Sequence, residues 1–434
     1  MNQYSTVMSP VLKDYGGSIR LKISRIIFWL MALYLWTLVL DGPIRYFSGY
    51  NHIEALIYLP KLLLCLPILL LPILRPRMSH AAFSITAIII FYLILGLINL
   101  HSSAQALFGL WVCVPMLFGA WSAVYLDFVE WRKLISLLFV TALVGVFINI
   151  WIVYPWSGSS LVIMGHTIEV SREWQTLIFD RYAGFSSASF NVASQLLVFS
   201  TLLVVFFDNR LMKSLIWISA GIGIAVTTSK GPLATWLILT VYFFGGWLFS
   251  WQRIWLRAWI MFLGIFIIVE LVLPLSTLWI RYNPHFEGFI NQLMFESFGD
   301  RLRWTWPQSL ELLNLRKWSW LTGRGLGGIG ISQRFFEPHY YITADNMFVY
   351  LIVDMGLPVA LITIITTYVM IAKKICNGIN TLSAHIVFPL YMSIVLYGMV
   401  VNLIEDPLLS FMLGVILVEI PRLQKVLPLV PINT

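Results

Sequence analysis

The apolar positions of this chain fall into long runs, not into the alternation of strands or the single stripe of a soluble helix. The runs lie near residues 25–40, 56–74, 81–98, 104–126, 134–154, 192–207, 213–229, 231–250, 256–275, 346–371, 384–404 and 406–420. A helix crossing a bilayer needs roughly 20 mostly apolar residues, with about 17–25 as the usual range. The pattern therefore predicts an all-α membrane protein of about twelve transmembrane helices, with residues 1–434 as one polytopic domain. The first run follows a polar, basic stretch and ends at Asp41-Gly42-Pro43 without a small-residue cleavage site, so it reads as a retained span.

The polar positions between the runs give an orientation. Sixteen Lys and Arg fall at the N-terminus, the C-terminus and alternate connections: Lys13, Arg20, Lys22 and Arg25, then Arg75/Arg77, Arg132/Lys133, Arg210/Lys213, Arg253/Arg257, Lys373/Lys374 and Arg422/Lys425. The other short connections hold only Arg45, Lys61 and Lys230. The excess of cations marks the cytoplasmic side, so both termini are expected there. Two outer connections, 155–191 and 276–345, are far longer than a turn. Loops beyond about 12–15 residues are usually functional or disordered. These are rich in Trp, Phe, Tyr and Leu, which argues against disorder. Ile290, Leu293, Met294 and Phe298 recur at helical spacing, and Pro307 is placed to open a further helix with Leu310, Leu313 and Leu315. Both segments are expected to form short helices over the outer face, capping a cavity, with the larger one between helices 9 and 10.

Composition narrows the class further. Hydrophobic residues make up 59% of the 434 and charged residues 11%, and the mean hydropathy is +0.84. Soluble domains carry about 25% charged residues. The net charge of +8 does not signal nucleic acid, because the cations are scattered in ones and twos with no basic stripe. Cys65, Cys113 and Cys376 are three widely spaced residues with no CxxC, which fits neither a disulfide framework nor a zinc site.

A few polar residues remain as candidates for chemistry. Lys230, in Thr227-Thr228-Ser229-Lys230-Gly231-Pro232, sits between two apolar runs with almost no loop around it. A cation so placed either faces a cavity or partner, or snorkels to the outer interface. Arg181 precedes the sixth run, and Arg301 and Arg303 lie in Asp300-Arg-Leu-Arg-Trp-Thr-Trp306. Each is an ordinary loop charge if taken singly. Together with Lys230 they place fixed cations on one membrane face, which suits a lipid-linked phosphate or diphosphate. Asp345 opens the tenth run, as a helix N-cap or as a general base beside those cations. Gly323-Arg-Gly-Leu-Gly-Gly-Ile-Gly330 matches GxGxxG twice but has no βαβ unit around it. It reads as a flexible turn or as a close backbone approach to phosphate or sugar.

Four stretches, in order, resemble the bacterial O-antigen ligase and O-antigen polymerase superfamily. Arg181-Tyr-Ala-Gly-Phe185 is similar to its Arg-x-x-Gly-Phe motif, and Thr228-Ser-Lys-Gly231 to its Ser-Arg-Gly motif. Asp300–Leu310 followed by Gly323–Gly330 resembles the Arg…Trp…Gly-x-Gly pattern of the large outer loop. Asp345-Asn-Met-Phe-Val-Tyr-Leu-Ile-Val-Asp-Met-Gly356 resembles the His-Asn-x-x-Leu…Gly signature after it. Two positions depart: Lys230 stands where the family has Arg, and Asp345 where the ligases have a His taken as catalytic. The ordinary pKa of Asp, about 3.9, makes it the weaker base unless burial raises it. His339, six residues before Asp345, is the alternative.

The resemblance implies a polytopic glycosyltransferase of the bacterial inner membrane with its active site facing the periplasm. The donor is an oligosaccharide on undecaprenyl diphosphate, and a sugar hydroxyl of the acceptor attacks the anomeric carbon with inversion. Neither a cofactor nor a metal is implied. Partners are the lipid-linked oligosaccharide, membrane lipid and a chain-length regulator protein, with no nucleic acid. Missing His leans the reading to the polymerase; the alternatives are the ligase, which transfers to lipid A-core, and a lipid-linked oligosaccharide flippase. Catalytic roles then fall to Lys230, Arg301 and Arg303 on the diphosphate and Asp345 on the hydroxyl. Arg181 and His339 support substrate binding, and Trp304 and Trp306 either stack on sugar rings or serve in packing.

Overall fold

A computed structural model describes residues 17–74, 79–126, 128–163, 166–172, 175–176, 179–248, 252–316, 318–376 and 382–422. Lys13, Arg75, Arg77 and Lys425, which entered the orientation count, lie outside them. Over its described residues each apolar run is mostly helical, because in lipid only intrasegment hydrogen bonds can satisfy the backbone of a single span. The first half of the chain gives α1 (Gly17–Val39), α2 (Asp41–Tyr50), a 3₁₀ turn leading into α3 (Leu59–Leu63), α4 (Cys65–Leu74), α5 (His80–Asn99), α6 (Ser103–Ser122) and α7 (Phe128–Trp151). Then come α8 (Ser189–Phe206), α9 (Arg210–Val226), α10 (Lys230–Leu248) and α11 (Gln252–Ser276). The long segment after α11 holds α12 (Phe289–Asp300), α13 (Trp306–Glu311), α14 (Ser319–Thr322) and α15 (Ile331–Phe336). The chain closes with α16 (Met347–Met355), α17 (Leu357–Cys376), α18 (Leu382–Gly398) and α19 (Pro407–Arg422).

Among the described residues, seven helices are long and apolar enough to cross a membrane, or eight if α1 and α2, bent by 82°, form one span. The outward faces fit lipid. On α11, Met261, Ile265, Ile268 and Val272 follow each other at helical spacing and are all more than half exposed, while Leu263 and Ile267 on the other face are buried. In water such an apolar stripe would drive aggregation. The inner layer is α6, α8 and α19. There α6 and α19 touch through reciprocal glycines: a Cβ on Gly119 would lie 2.2 Å from the Phe411 carbonyl oxygen, and one on Gly414 would lie 2.0 Å from that of Met116. Small residues let helix backbones approach this closely.

Three expectations need correction. The run 346–371 is not one helix, because Gly356 (φ +80°) breaks it and Pro358 restarts it as α17. The segment 155–191 carries strands where short helices were expected. Ser160–Ile163 pairs antiparallel with His166–Glu169, and Gln175–Thr176 with Phe179–Asp180. Leu161-Val162-Ile163 is apolar, with Val162 and Ile163 β-branched, which favours a strand over a surface helix. Gly323–Gly330, read as a flexible turn or a ligand loop, is buried throughout. Its backbone is wedged against α5 and α6, so that a Cβ on Gly325 would meet Gly96 N at 2.2 Å.

The expected helices of the large segment do form. Its first patterned stretch lies in α12, and Leu310 and Leu313 are fully buried, though Leu315 is exposed. The connections also sort into two groups. Ser24 Oγ donates to the Tyr125 carbonyl (2.9 Å), and the Arg132 guanidinium lies 5.7 Å from the Phe207 ring. These join the connections in which the sequence places most of the cations. Five of the other connections contribute to one cavity.

Candidate functional site

A cavity of about 2060 Å³ is lined by residues from α2, the 155–191 segment, the α9–α10 turn, the 276–345 segment and the α18–α19 turn. Arg181, Lys230, Arg301 and Asp345 all line it, although they are far apart in sequence. Each is placed by local structure.

The α9–α10 turn is tight because Thr228 takes a left-handed conformation (φ 55°). That costs of order 1–3 kcal/mol for a β-branched residue, and persists only where surroundings hold it. Arg181 is one such hold: its Nε donates to Thr228 Oγ1 and its Nη2 to the Thr228 carbonyl, both at 3.2 Å. The same turn starts α10 at Lys230, within electrostatic reach of Arg181 and Arg301 and of the Glu296 carboxylate. Among the described residues the Lys230 ammonium makes no hydrogen bond or ion pair. It is half-buried and open to an anion.

Arg301 opens a single π-helical turn, Arg301–Thr305, between α12 and α13. Such turns displace a side chain from its ordinary helical direction. Its Nη1 donates to the Ser297 carbonyl (2.9 Å) and Oγ (2.6 Å), and its Nη2 to the Val400 carbonyl (3.2 Å), which ties the π-turn to the α18–α19 turn. Its Nη2 also lies 3.7 Å from the Asp345 carboxylate. The buried Nε has no partner among the described residues.

Asp345 is not the helix cap. Asn346 is: its Oδ1 accepts from the backbone N–H groups of Phe348 (2.8 Å) and Val349 (3.0 Å), and its Nδ2 donates to the Met399 carbonyl. The Asp345 carboxylate is thereby left to the cavity and to Arg301. Burial pushes its pKa up, and the Arg301 charge opposes this only in part.

The remaining sequence candidates lie elsewhere. Arg303 pairs with Glu296 (3.2 Å) and Asp300 (3.7 Å) and donates to the Pro284 carbonyl, so it braces α12 without lining the cavity. Trp304 is 61% exposed and points away from it, and His339 is also exposed outside it. Trp306 is fully buried against Phe298 and has no face to offer a sugar. The aromatic rings that do line the cavity include Trp111, Phe335 and Tyr341.

Sequence reading missed Glu405. It sits in Asn402-Leu-Ile-Glu405-Asp406, between two apolar runs, and both carboxylates line the cavity. Asp406 has a structural role there, capping α19 through Leu408 and Leu409 (3.0 Å each) and accepting from Ser194 Oγ (2.9 Å). The usable signal was an acidic pair at a helix-to-helix turn. It went unused because orientation is read from cations alone.

The lining contributed by α10 and α12 beside Lys230 and Arg301 mixes apolar Pro232, Ala234, Met294 and Phe295 with the carboxylates Glu296 and Asp300. Met294 and Phe295 are about half exposed. Cations next to exposed apolar side chains fit an amphiphile with an anionic head. Compared with protein-family models, with curated proteins and with solved structures, the chain matches none of them.

Proposed function

We propose that this protein is a membrane glycosyltransferase that polymerises lipid-linked oligosaccharide repeat units, with an undecaprenyl diphosphate donor. The observation that carries the reading is the convergence of Arg181, Lys230 and Arg301 on one cavity wall flanked by apolar side chains. Diphosphate leaves well once its charge is held, so positioning and cationic stabilisation supply most of the catalysis. Lys230 and Arg301 bind the diphosphate, and Arg181 supports Lys230 through the Thr228 turn. The acceptor hydroxyl attacks the anomeric carbon from the opposite face, with inversion. Its proton goes to a cavity carboxylate, Asp345 or Glu405.

In this reading the chain crosses the inner membrane twelve times with both termini in the cytoplasm, and the cavity faces the periplasm. Two features support it: the cavity collects segments from five connections that alternation assigns to one side, and the cation-rich connections contact each other. The test is to incubate purified protein with lipid-linked repeat units and resolve the products on a gel. A ladder of polymer with released lipid diphosphate is expected. Transfer only to added lipid A-core would make the protein a ligase, and movement of substrate across liposomes without bond change would make it a flippase.

A further inference from the structure

The α18–α19 turn brings a second carboxylate to the cavity, on a seat built for it. Glu405 Oε1 accepts a 2.6 Å hydrogen bond from the backbone N–H of Ile331, the first residue of α15. The seat is Gly330, at φ +79°, where a Cβ would lie 2.0 Å from Oε1 and 3.3 Å from Oε2. Only a bare Cα lets the carboxylate lie there, which gives the last glycine of 323–330 a role the others do not share.

The two cavity carboxylates have different surroundings. Asp345 has Arg301 beside it, which favours its charged form and opposes, without outweighing, the upward push of burial. Among the described residues no Lys, Arg or His makes an ion pair with Glu405. The titratable groups in electrostatic reach of Glu405 are Asp345, Tyr341, Cys113 of α6 and Tyr350 of α16, while Arg334 and Asp406 line the same cavity. Burial pushes the Glu405 pKa up to about 7, helped by the Asp345 charge and opposed by the Ile331 N–H and the Asn402 side chain. A general base works best with a pKa near the operating pH. Two carboxylates whose environments separate their affinities for a proton commonly divide the acid–base work.

We propose that Glu405 is the general base of this site, and that Asp345 is a positioning residue that holds Arg301 towards the diphosphate. The assignment rests on the glycosyl-transfer reading. In the step, the acceptor oxygen forms its bond to the anomeric carbon as the bond from that carbon to the diphosphate oxygen breaks. The electron pair of the broken bond stays on the diphosphate, held by Lys230 and Arg301. The hydroxyl proton passes to the Glu405 oxygen not bound by Ile331, and the neutral acid returns it to water after the product moves on.

The experiment measures polymer formation and lipid diphosphate release against pH for purified wild type and three variants. Below a pH of about 7 Glu405 holds its proton and cannot accept another, so the wild-type rate rises with pH through about 7. Glu405→Gln keeps the Ile331 bond through its amide oxygen but takes no proton. Its kcat is expected to fall about 10²–10⁴-fold with the donor KM unchanged, and the limb near neutrality disappears. Glu405→Asp keeps the limb at reduced rate, which separates lost basicity from a folding defect. Asp345→Asn keeps the limb and raises the donor KM. Near wild-type turnover in Glu405→Gln, or loss of the neutral limb in Asp345→Asn, overturns the assignment while polymer formation leaves the enzyme reading intact. A wild type that releases no lipid diphosphate and makes no polymer overturns both.

Discussion

Two regions of this molecule carry arginines that look alike in sequence and differ in the fold. Arg324 lies inside the glycine segment 323–330 and is 7% exposed. Its Nη2 sits 2.8 Å from Glu337 Oε2, its Nη1 donates to the Gly328 carbonyl, and Gln105 Nε2 bonds both Gly327 O (2.9 Å) and Glu337 (3.2 Å). The charge is satisfied within the protein. At the cavity, Lys230 has no such partner among the described residues, and Arg301 has only a 3.7 Å pairing with Asp345. A cation already neutralised in a buried pair is structural. One that lines a cavity without a close ion pair, as Lys230 does with Glu296 only within electrostatic reach, is available to an anionic ligand.

The comparison breaks most sharply at Lys230. Lys230→Ala should reduce polymer formation by at least the roughly 10²–10³-fold lost when a single stabilising donor is removed from an active site. The protein should still insert and fold. Lys230→Arg should retain substantial activity, since it keeps the charge. Normal polymer from the alanine variant would make Lys230 a snorkelling lysine. Arg324→Ala should act on the other side of the comparison. It leaves Glu337 buried and unpaired, a loss of about 3–5 kcal/mol when one partner of a buried pair is removed. Thermal unfolding in detergent would show the loss, and a melting point equal to wild type would contradict it.

A smaller effect sharpens the distinction between Asp345 and its neighbour. Asn346→Ala should cost about 1 kcal/mol or somewhat more, because it removes the cap of α16. Asp345→Asn should leave thermal stability unchanged. If the two variants destabilise equally, the capping role is shared. The smallest perturbation concerns sidedness and uses single cysteines in a background with Cys65, Cys113 and Cys376 all replaced by serine. A cysteine at the exposed position 373 should react with an impermeant reagent only from the cytoplasmic side, and one at position 300 only from the periplasmic side. Position 374 is unsuitable, because Lys374 is 4% exposed.

The helices were legible because each apolar run is long enough to cross lipid, and lipid allows few other structures. What the runs did not show depends on contacts between distant residues. The break at Gly356 is fixed where Tyr92 Oη donates to the Met355 carbonyl across 263 residues. The burial of the glycine segment is set by Gln105 of α6 and by Asp354 of α16, whose Oδ2 accepts from Gly327 N at 3.3 Å. A GxG pattern has no feature that distinguishes a ligand loop from a wedge between helices.

The candidate site was legible in its cations. Lys230 stood out because a charge between two apolar runs needs an explanation, and Arg181 and Arg301 because they fell on the same side. Arg303 has the same residue type two positions from Arg301, but residues two apart on a helix do not share a face, and Arg303 pairs with Glu296 and Asp300. Glu405 stayed hidden because its partner is a backbone N–H of a segment 74 residues away.

The central claim is that the cationic wall holds the diphosphate of a lipid. Its most direct test is equilibrium binding of undecaprenyl diphosphate to the purified protein, with undecaprenol, the same lipid without phosphate, as control. Wild type should bind the diphosphate more tightly than undecaprenol and less tightly as salt rises. Lys230→Ala should weaken diphosphate binding at least about tenfold, equivalent to 1.4 kcal/mol, and leave undecaprenol binding unchanged. Equal affinity of wild type and Lys230→Ala for the diphosphate would contradict the account.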